Sequence, residues 1–157
     1  MTSRPPGGVR ALDHTADVGL MVEGVSQEEL FARAALGTIW MATGTPPDQL
    51  GGGDEEWAVQ EMVEVAVQAE DREGLLRSWL RELLFRLEVD GRATVAVERI
   101  SFAEAGDGEA ALAAHIRTAQ APESPVREIK GVTWHGLSVR PPSDTDPSWR
   151  AQVIFDV

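Results

Sequence analysis

The sequence predicts an α+β fold: a mostly antiparallel sheet with two helices packed on one face, in the order β-β-α-β-α-β-β-β-β. Three observations carry that prediction. Residues 26–44 and 73–89 place apolar side chains at helical spacing. Most of the remaining apolar segments are short or alternate with period two and are bounded by turn residues, as strands are. The helices do not alternate with strands as in a doubly wound sheet, since two strand-like runs precede the first helix and four follow the second.

Taken in order, residues 1–8, "MTSRPPGG", read as a disordered lead-in that resembles neither a signal peptide nor a transit peptide, and residues 9–157 as a single domain. Short apolar runs at 9–12 and 18–22 suit two strands on either side of the polar stretch "DHTAD". In "SQEELFARAALGTIWMATG", Leu30, Phe31, Ala34, Ala35, Ile39 and Met41 form the buried side of a helix. Ser26 and Glu29 have capping-box spacing, and Gly44 with Pro46 and Pro47 marks the stop. "TPPDQLGGGDEE" is a loop by composition. "WAVQEMVEVAVQAED" alternates, with Val59, Val63, Val65 and Val67 on one side and Glu61 interrupting it. "EGLLRSWLRELLFRLEV" is the strongest helix: Leu75, Leu76, Trp79, Leu80, Leu83, Leu84 and Leu87 make a wide apolar stripe, read as core. Arg77, Arg81 and Arg86, interleaved with Glu73, Glu82 and Glu88, read as a mixed solvated face. A strand hairpin around "GDGE" follows, then two strands, "EIKGVTWHGLSVR" and "WRAQVIFDV", joined by the polar loop "PPSDTDPS".

Composition excludes several functions. The 157 residues carry 14 basic and 26 acidic side chains, a formal charge of −12. That balance argues against a protein that holds RNA, DNA or anionic lipid by itself, because such proteins cluster Lys and Arg against phosphate. No apolar run approaches the ~18 residues of a membrane span, and a cytoplasmic location is the expectation. The sequence has no cysteine, which removes disulfides, thiolate nucleophiles, iron–sulfur clusters and cysteine zinc sites. It also has no G-x-S-x-G elbow, no Walker-type loop and no H-E-x-x-H.

Two acidic places remain. Asp13, His14, Thr15 and Asp17 form the densest polar cluster. Either Asp13 and Thr15 shape a turn by bonding nearby backbone N–H groups, or a carboxylate here joins others from elsewhere in the fold on a divalent cation. Such an ion needs more oxygens than this stretch supplies alone. At the other end, Asp156 and Val157 set a side-chain carboxylate one residue from an α-carboxylate, after the apolar Ile154 and Phe155. Adjacent anions of that kind are relieved by a cation, or else are two solvated groups at a fraying end.

Five segments, in order, resemble the archease family: "DHTADVGL" its opening motif, "SQEELFARAALG" and "LLRSWLRELLFRL" its two helices, "IKGVTWHGLSV" its K-[AG]-[VI]-T-[YF]-H-x-[LM]-x-V segment, and "AQVIFDV" its closing V-x-x-D-[IV]. Residues 92–125 match weakly, Trp134 stands where the family more often has tyrosine, and Gly131 replaces the commoner alanine. The resemblance implies a small α+β protein of tRNA splicing that is not itself an enzyme. Archeases activate the RtcB-type RNA ligase, promoting guanylylation of its active-site histidine by GTP and so its repeated turnover. The family's metal-binding aspartates match Asp17 and Asp156, with Val157 completing the site. Calcium is the ion associated with that position, with Mg²⁺ or Mn²⁺ as alternatives in function. Around it, Asp13 either accepts a hydrogen bond behind the ligands or belongs to the turn. His14 orients a carboxylate or bonds backbone, since hard cations prefer oxygen. Lys130 pairs with a carboxylate, meets a phosphate at the ligase interface, or is a strand-edge lysine. His135 is expected as a partly buried sheet residue rather than a catalytic base. The metal end would insert toward the ligase's nucleotide pocket, with GTP engaged only through the ligase and no direct strong nucleic-acid binding. Two rivals stand beside this: a stand-alone metal-dependent hydrolase or nuclease, which needs a basic substrate channel the sequence lacks, and a chaperone-like protein-binding module, which needs an exposed apolar face.

Overall fold

The first helix begins where a side chain can replace the missing backbone partner. Ser26 Oγ accepts the Glu29 amide at 3.1 Å, and α1 runs over Gln27–Thr43 to Gly44, whose φ of 79° is the left-handed stop that glycine adopts without strain. The reciprocal half of the expected capping box is shifted by one residue: Glu29 Oε1 accepts from the Val25 amide at 3.3 Å. The second helix, α2 at Arg72–Val89, is capped by Asp71, whose carboxylate accepts the Gly74 amide at 2.7 Å.

The structure is a computed structural model that describes residues 8–13, 17–50, 60–104, 109–121 and 127–157, with the backbone alone for Leu12, Asp13 and Asp17. Most of the proposed lead-in, His14, the glycine-rich loop at 51–59 and the hairpin turn at 105–108 lie outside the described residues. The strands are β1 Val9–Asp13, β2 Asp17–Gly24, β3 Gln60–Ala69, β4 Arg92–Glu104, β5 Ala110–Gln120, β6 Gly131–Val132, β7 Ser138–Arg140 and β8 Trp149–Asp156. The α+β class and the two helices are as the sequence predicts. All strand pairings are antiparallel and resolve into two sheets, β1-β2-β8-β6 with β7 also on β8, and β3-β5-β4.

One expected strand is two. The segment "EIKGVTWHGLSVR" breaks between β6 and β7. Gly136 takes a φ of 71°, and the Thr133 hydroxyl donates to the His135 carbonyl at 3.0 Å, so a turn replaces continuous extension. The hairpin on either side of "GDGE" is borne out by the β4–β5 register, which runs from Arg92↔Gln120 to Glu104↔Ala110. Glu61, which interrupted the apolar side of the third strand, is exposed near the strand's start and lies 3.7 Å from Arg92.

The helix pair is shared by both sheets: α1 packs on β2 and β4, and α2 on β3 and β4 and also on β6 and β7. Leu75, Leu76, Trp79, Leu80, Leu83 and Leu84 are buried, so the leucine stripe is core. Trp79 is fully enclosed, and its indole N–H donates to the Phe31 carbonyl at 3.0 Å, which satisfies the one polar atom it carries inward. Phe31 then meets Phe102 of β4 edge to face, with centroids 4.9 Å apart. On the other side α1 comes down at Gly37, where an added Cβ would stand 2.9 Å from Leu20 Cδ1 and 3.1 Å from Val9 Cγ1. That glycine lets the helix sit flush on β1 and β2.

Candidate functional site

Strand β8 lies between β2 on one side and β6 and β7 on the other, so both of its edges are paired. Val153, Ile154 and Phe155 are all buried in succession, where a half-exposed strand would alternate, so both of its faces are covered here. The turn between β6 and β7 supplies part of the cover: an added Cβ on Gly136 would stand 3.0 Å from Ile154 Cγ1. Asp156 emerges from this buried run and is exposed, and Val157 after it is half-buried against the core.

The pairing of β8 fixes what stands beside Asp156. In the β2–β8 ladder Asp17 is the direct partner of Asp156, one step beyond Val18 and Phe155. Residues so opposed in an antiparallel pair have Cα atoms about 4.5–5.5 Å apart. On its other side Asp156 faces Gly131 of β6, and its carbonyl accepts the Lys130 amide at 2.7 Å. The Thr133 amide donates to Ile154 O at 3.0 Å, so the strand end is held by backbone bonds from both flanks. Asp13 sits one strand further out, opposite Val18 across the β1–β2 ladder.

The sequence-predicted residues therefore divide. The fold brings residues 17, 156 and 157 to one strand end, with the backbone of Lys130 directly against it. The Lys130 side chain is exposed and makes no ion pair among the described residues. His135, expected as a partly buried sheet residue, is instead exposed in the turn between β6 and β7, because the break at Gly136 takes it out of the sheet. His14 lies outside the described residues, and the side chains of Asp13 and Asp17 do too. Among the described side chains, no three acidic or histidine groups cluster closely enough to hold a metal ion.

The donors expected at this end, the carboxylates of Asp17 and Asp156 with Val157 beside them, are oxygen alone, which is the chemistry that a hard divalent cation would fit.

A second feature of the same end was not legible in the sequence. Arg77 does not lie on a mixed solvated face of α2. Its Nε donates to the Val132 carbonyl at 2.8 Å, and its guanidinium covers the Trp134 ring at 4.6 Å from the centroid. Burial and the charge of Arg81, one turn along, lower the Arg77 pKa. Of the glutamates expected to balance these arginines, Glu82 pairs with Arg86 at 3.2 Å and Glu73 accepts the Val139 amide at 3.4 Å. Helical periodicity alone could not distinguish Arg77 from Arg81, because the contact depends on where the β6–β7 turn lands.

Comparison with known proteins agrees over nearly the whole chain. Residues 10–157 match the Archease protein family (MTH1598/TM1083). The chain is 32% identical to protein archease of Methanosarcina mazei over 148 residues, covering 93% of each. It is 30% identical to protein archease of Thermococcus kodakarensis, covering 92% of this chain and 95% of the relative. Among solved structures it resembles protein 1598 of Methanobacterium thermoautotrophicum, with a TM-score of 0.69, 28% identity, and coverage of 96% of this chain and 99% of that one. It shares its fold, with a TM-score of 0.59 at 19% identity over 100% of this chain and 99% of that one, with a Thermotoga maritima protein described as an archease and possible chaperone.

Proposed function

The chain belongs to the archease family, and on that premise we propose that it is an accessory protein of RNA ligation in tRNA splicing. It activates an RtcB-type ligase, promoting GTP-dependent guanylylation and multiple turnover, and performs no reaction of its own. Asp17, Asp156 and the α-carboxylate of Val157 hold a divalent cation, Ca²⁺ or in function Mg²⁺ or Mn²⁺. When bound, such an ion supplies a concentrated positive charge that orients phosphoryl oxygens and lowers the pKa of groups beside it.

The observation that carries this reading is the direct pairing of Asp17 with Asp156. The protein's own residues prepare the place. The β2 and β6 backbones clamp the end of β8, so the acidic groups are presented from a rigid edge. Lys130, whose amide is bonded to Asp156 O, sets its ammonium group on the adjoining segment, where it meets a phosphate or carboxylate of the partner. His135 is exposed in the turn between β6 and β7 and available for the same contact. With a net charge of −12 the protein engages the ligase and leaves RNA to it, and GTP enters only through the ligase. A cytoplasmic setting follows for that role, and no helix among the described residues is long and apolar enough to cross a membrane.

The test is a guanylylation assay with the cognate ligase and GTP. Wild-type protein accelerates guanylylation, while Asp17→Ala and Asp156→Ala lose at least tenfold of that acceleration although they remain folded. Equal stimulation by all three would remove the metal end from the mechanism. Hydrolysis of RNA or nucleotide by the pure protein with Mg²⁺ or Mn²⁺ would favour the stand-alone enzyme. Suppression of aggregation without any effect on guanylylation would favour the chaperone-like module.

A further inference from the structure

Two tryptophans lean on α2, and each is covered by an arginine. The Arg72 guanidinium lies 5.1 Å from the Trp149 ring centroid, and that of Arg77 lies 4.6 Å from Trp134. Trp149 is half-buried and packs against the core, so its arginine closes a structural contact. Trp134 is 61% exposed and makes no part of the core. Exposed aromatic rings of this kind are enriched at protein–protein interfaces relative to the rest of a protein surface.

It is also held in place. Arg77 is fixed by its bond to Val132 O, and the Trp134 ring edge lies against α2 at Gly74, where an added Cβ would stand 3.6 Å from it. A large aromatic surface whose rotamer is already set loses little entropy when a partner covers it. Tryptophan and arginine are, with tyrosine, the residue types that most often dominate binding energy at interfaces.

The charges around the ring name the chemistry of that partner. Arg81 is exposed one turn beyond Arg77, and Lys130 is exposed on the segment leading to Trp134. Neither they nor Arg77 has an ion-pair partner among the described residues. In a chain of net charge −12 this is a local cationic surface that lacks its counter-charges. Guanidinium pairs receive carboxylates in bidentate geometry. A nucleic-acid strand fits less well, because three cations in a chain of net charge −12 neutralise few phosphates.

We propose that Trp134, clamped by Arg77 and accompanied by Arg81 and Lys130, is the anchor that grips a carboxylate-bearing segment of the ligase. This rests on the proposed function above and divides the labour at that end of the molecule. The acidic pair at 17 and 156 acts on the partner's nucleotide chemistry. The Trp134 platform, three residues beyond the Gly131 that faces Asp156, holds the partner in register.

The test measures affinity and maximal effect separately, titrating the cognate ligase with wild type, Trp134→Ala, Arg77→Gln and Arg81→Glu in a guanylylation assay and by calorimetry. Trp134→Ala and Arg81→Glu raise the half-saturating concentration at least tenfold, Trp134→Phe restores most of it, and added salt weakens wild-type binding more than that of Arg81→Glu. Asp156→Ala lowers the maximal rate and leaves the half-saturating concentration near wild type. Circular dichroism melts confirm that the variants fold. If wild type stimulates the ligase but Trp134→Ala and Arg81→Glu bind like wild type, the anchor is wrong and the proposed function stands. If Trp134→Ala changes affinity for single-stranded RNA and not for the ligase, the occupant is a nucleic acid and the proposal fails. If wild type neither binds nor stimulates the ligase, both fall.

Discussion

The two ends of the β2–β8 ladder are built on opposite electrostatics. At one end Glu23 faces Arg150 and the two groups lie 3.5 Å apart, with Arg150 also bound to Asp146 from the preceding loop. At the other end Asp17 faces Asp156. Opposite charges across an antiparallel pair stabilise it, and like charges directly opposed destabilise it. A single ladder thus satisfies the stability rule where it leaves the site and violates it at the site. A local rule broken at one place in a fold is expected at a functional site, and the cation proposed above would supply the counter-charge this end lacks among the described residues.

Three experiments break or sharpen that contrast. The largest effect is expected from the ion itself. Calcium at about 100 times its dissociation constant stabilises the wild-type protein by about 2.7 kcal/mol, read as a rise in melting temperature that EDTA reverses. Asp156→Ala shows no such rise; an equal rise in that variant would place the ion elsewhere. Next, Asp156→Lys makes the acidic end resemble the Glu23–Arg150 end. In metal-free urea denaturation it is more stable than wild type by about 0.2–1 kcal/mol, and it no longer responds to calcium. A loss of stability instead would mean that the acidic pairing is not a source of strain.

The smallest effect lies at the paired end and depends on pH. The Ser148 amide and the Arg150 guanidinium hold the Asp146 carboxyl below its ordinary value of 3.8. A depressed carboxylate contributes stability above its unfolded pKa and loses it as pH falls through the folded one. Asp146→Asn is therefore slightly less stable than wild type at neutral pH, and the difference closes in acid below both values. Parallel stability curves across that range would show that the exposed pair contributes nothing.

Local features of the fold were legible in the sequence, and the non-local ones only in part. Ser26, Gly44, the leucine stripe and the alternation at Val63, Val65 and Val67 each act through neighbours a few residues away, so spacing reveals them. The break between β6 and β7 escaped because the run "VTWHGLSV" has strand-like composition, and only the positive φ at Gly136 and the Thr133 side-chain bond show the turn. The pairing of residues 17 and 156 joins nearly opposite ends of the sequence, and no periodicity encodes it; the concentration of carboxylates, and the resemblance of both motifs to one family, pointed to it. The Arg77–Trp134 stack left no sequence signal, since it joins a helix to a turn the sequence did not announce.

The place of β8 in its sheet also bears on how the molecule is made. Every strand that β8 touches precedes it in the chain, so on the ribosome β2 and β7 wait with open edges until residues 149–156 emerge. A product cut short before that point lacks a central strand, and its Asp17 has no opposite number.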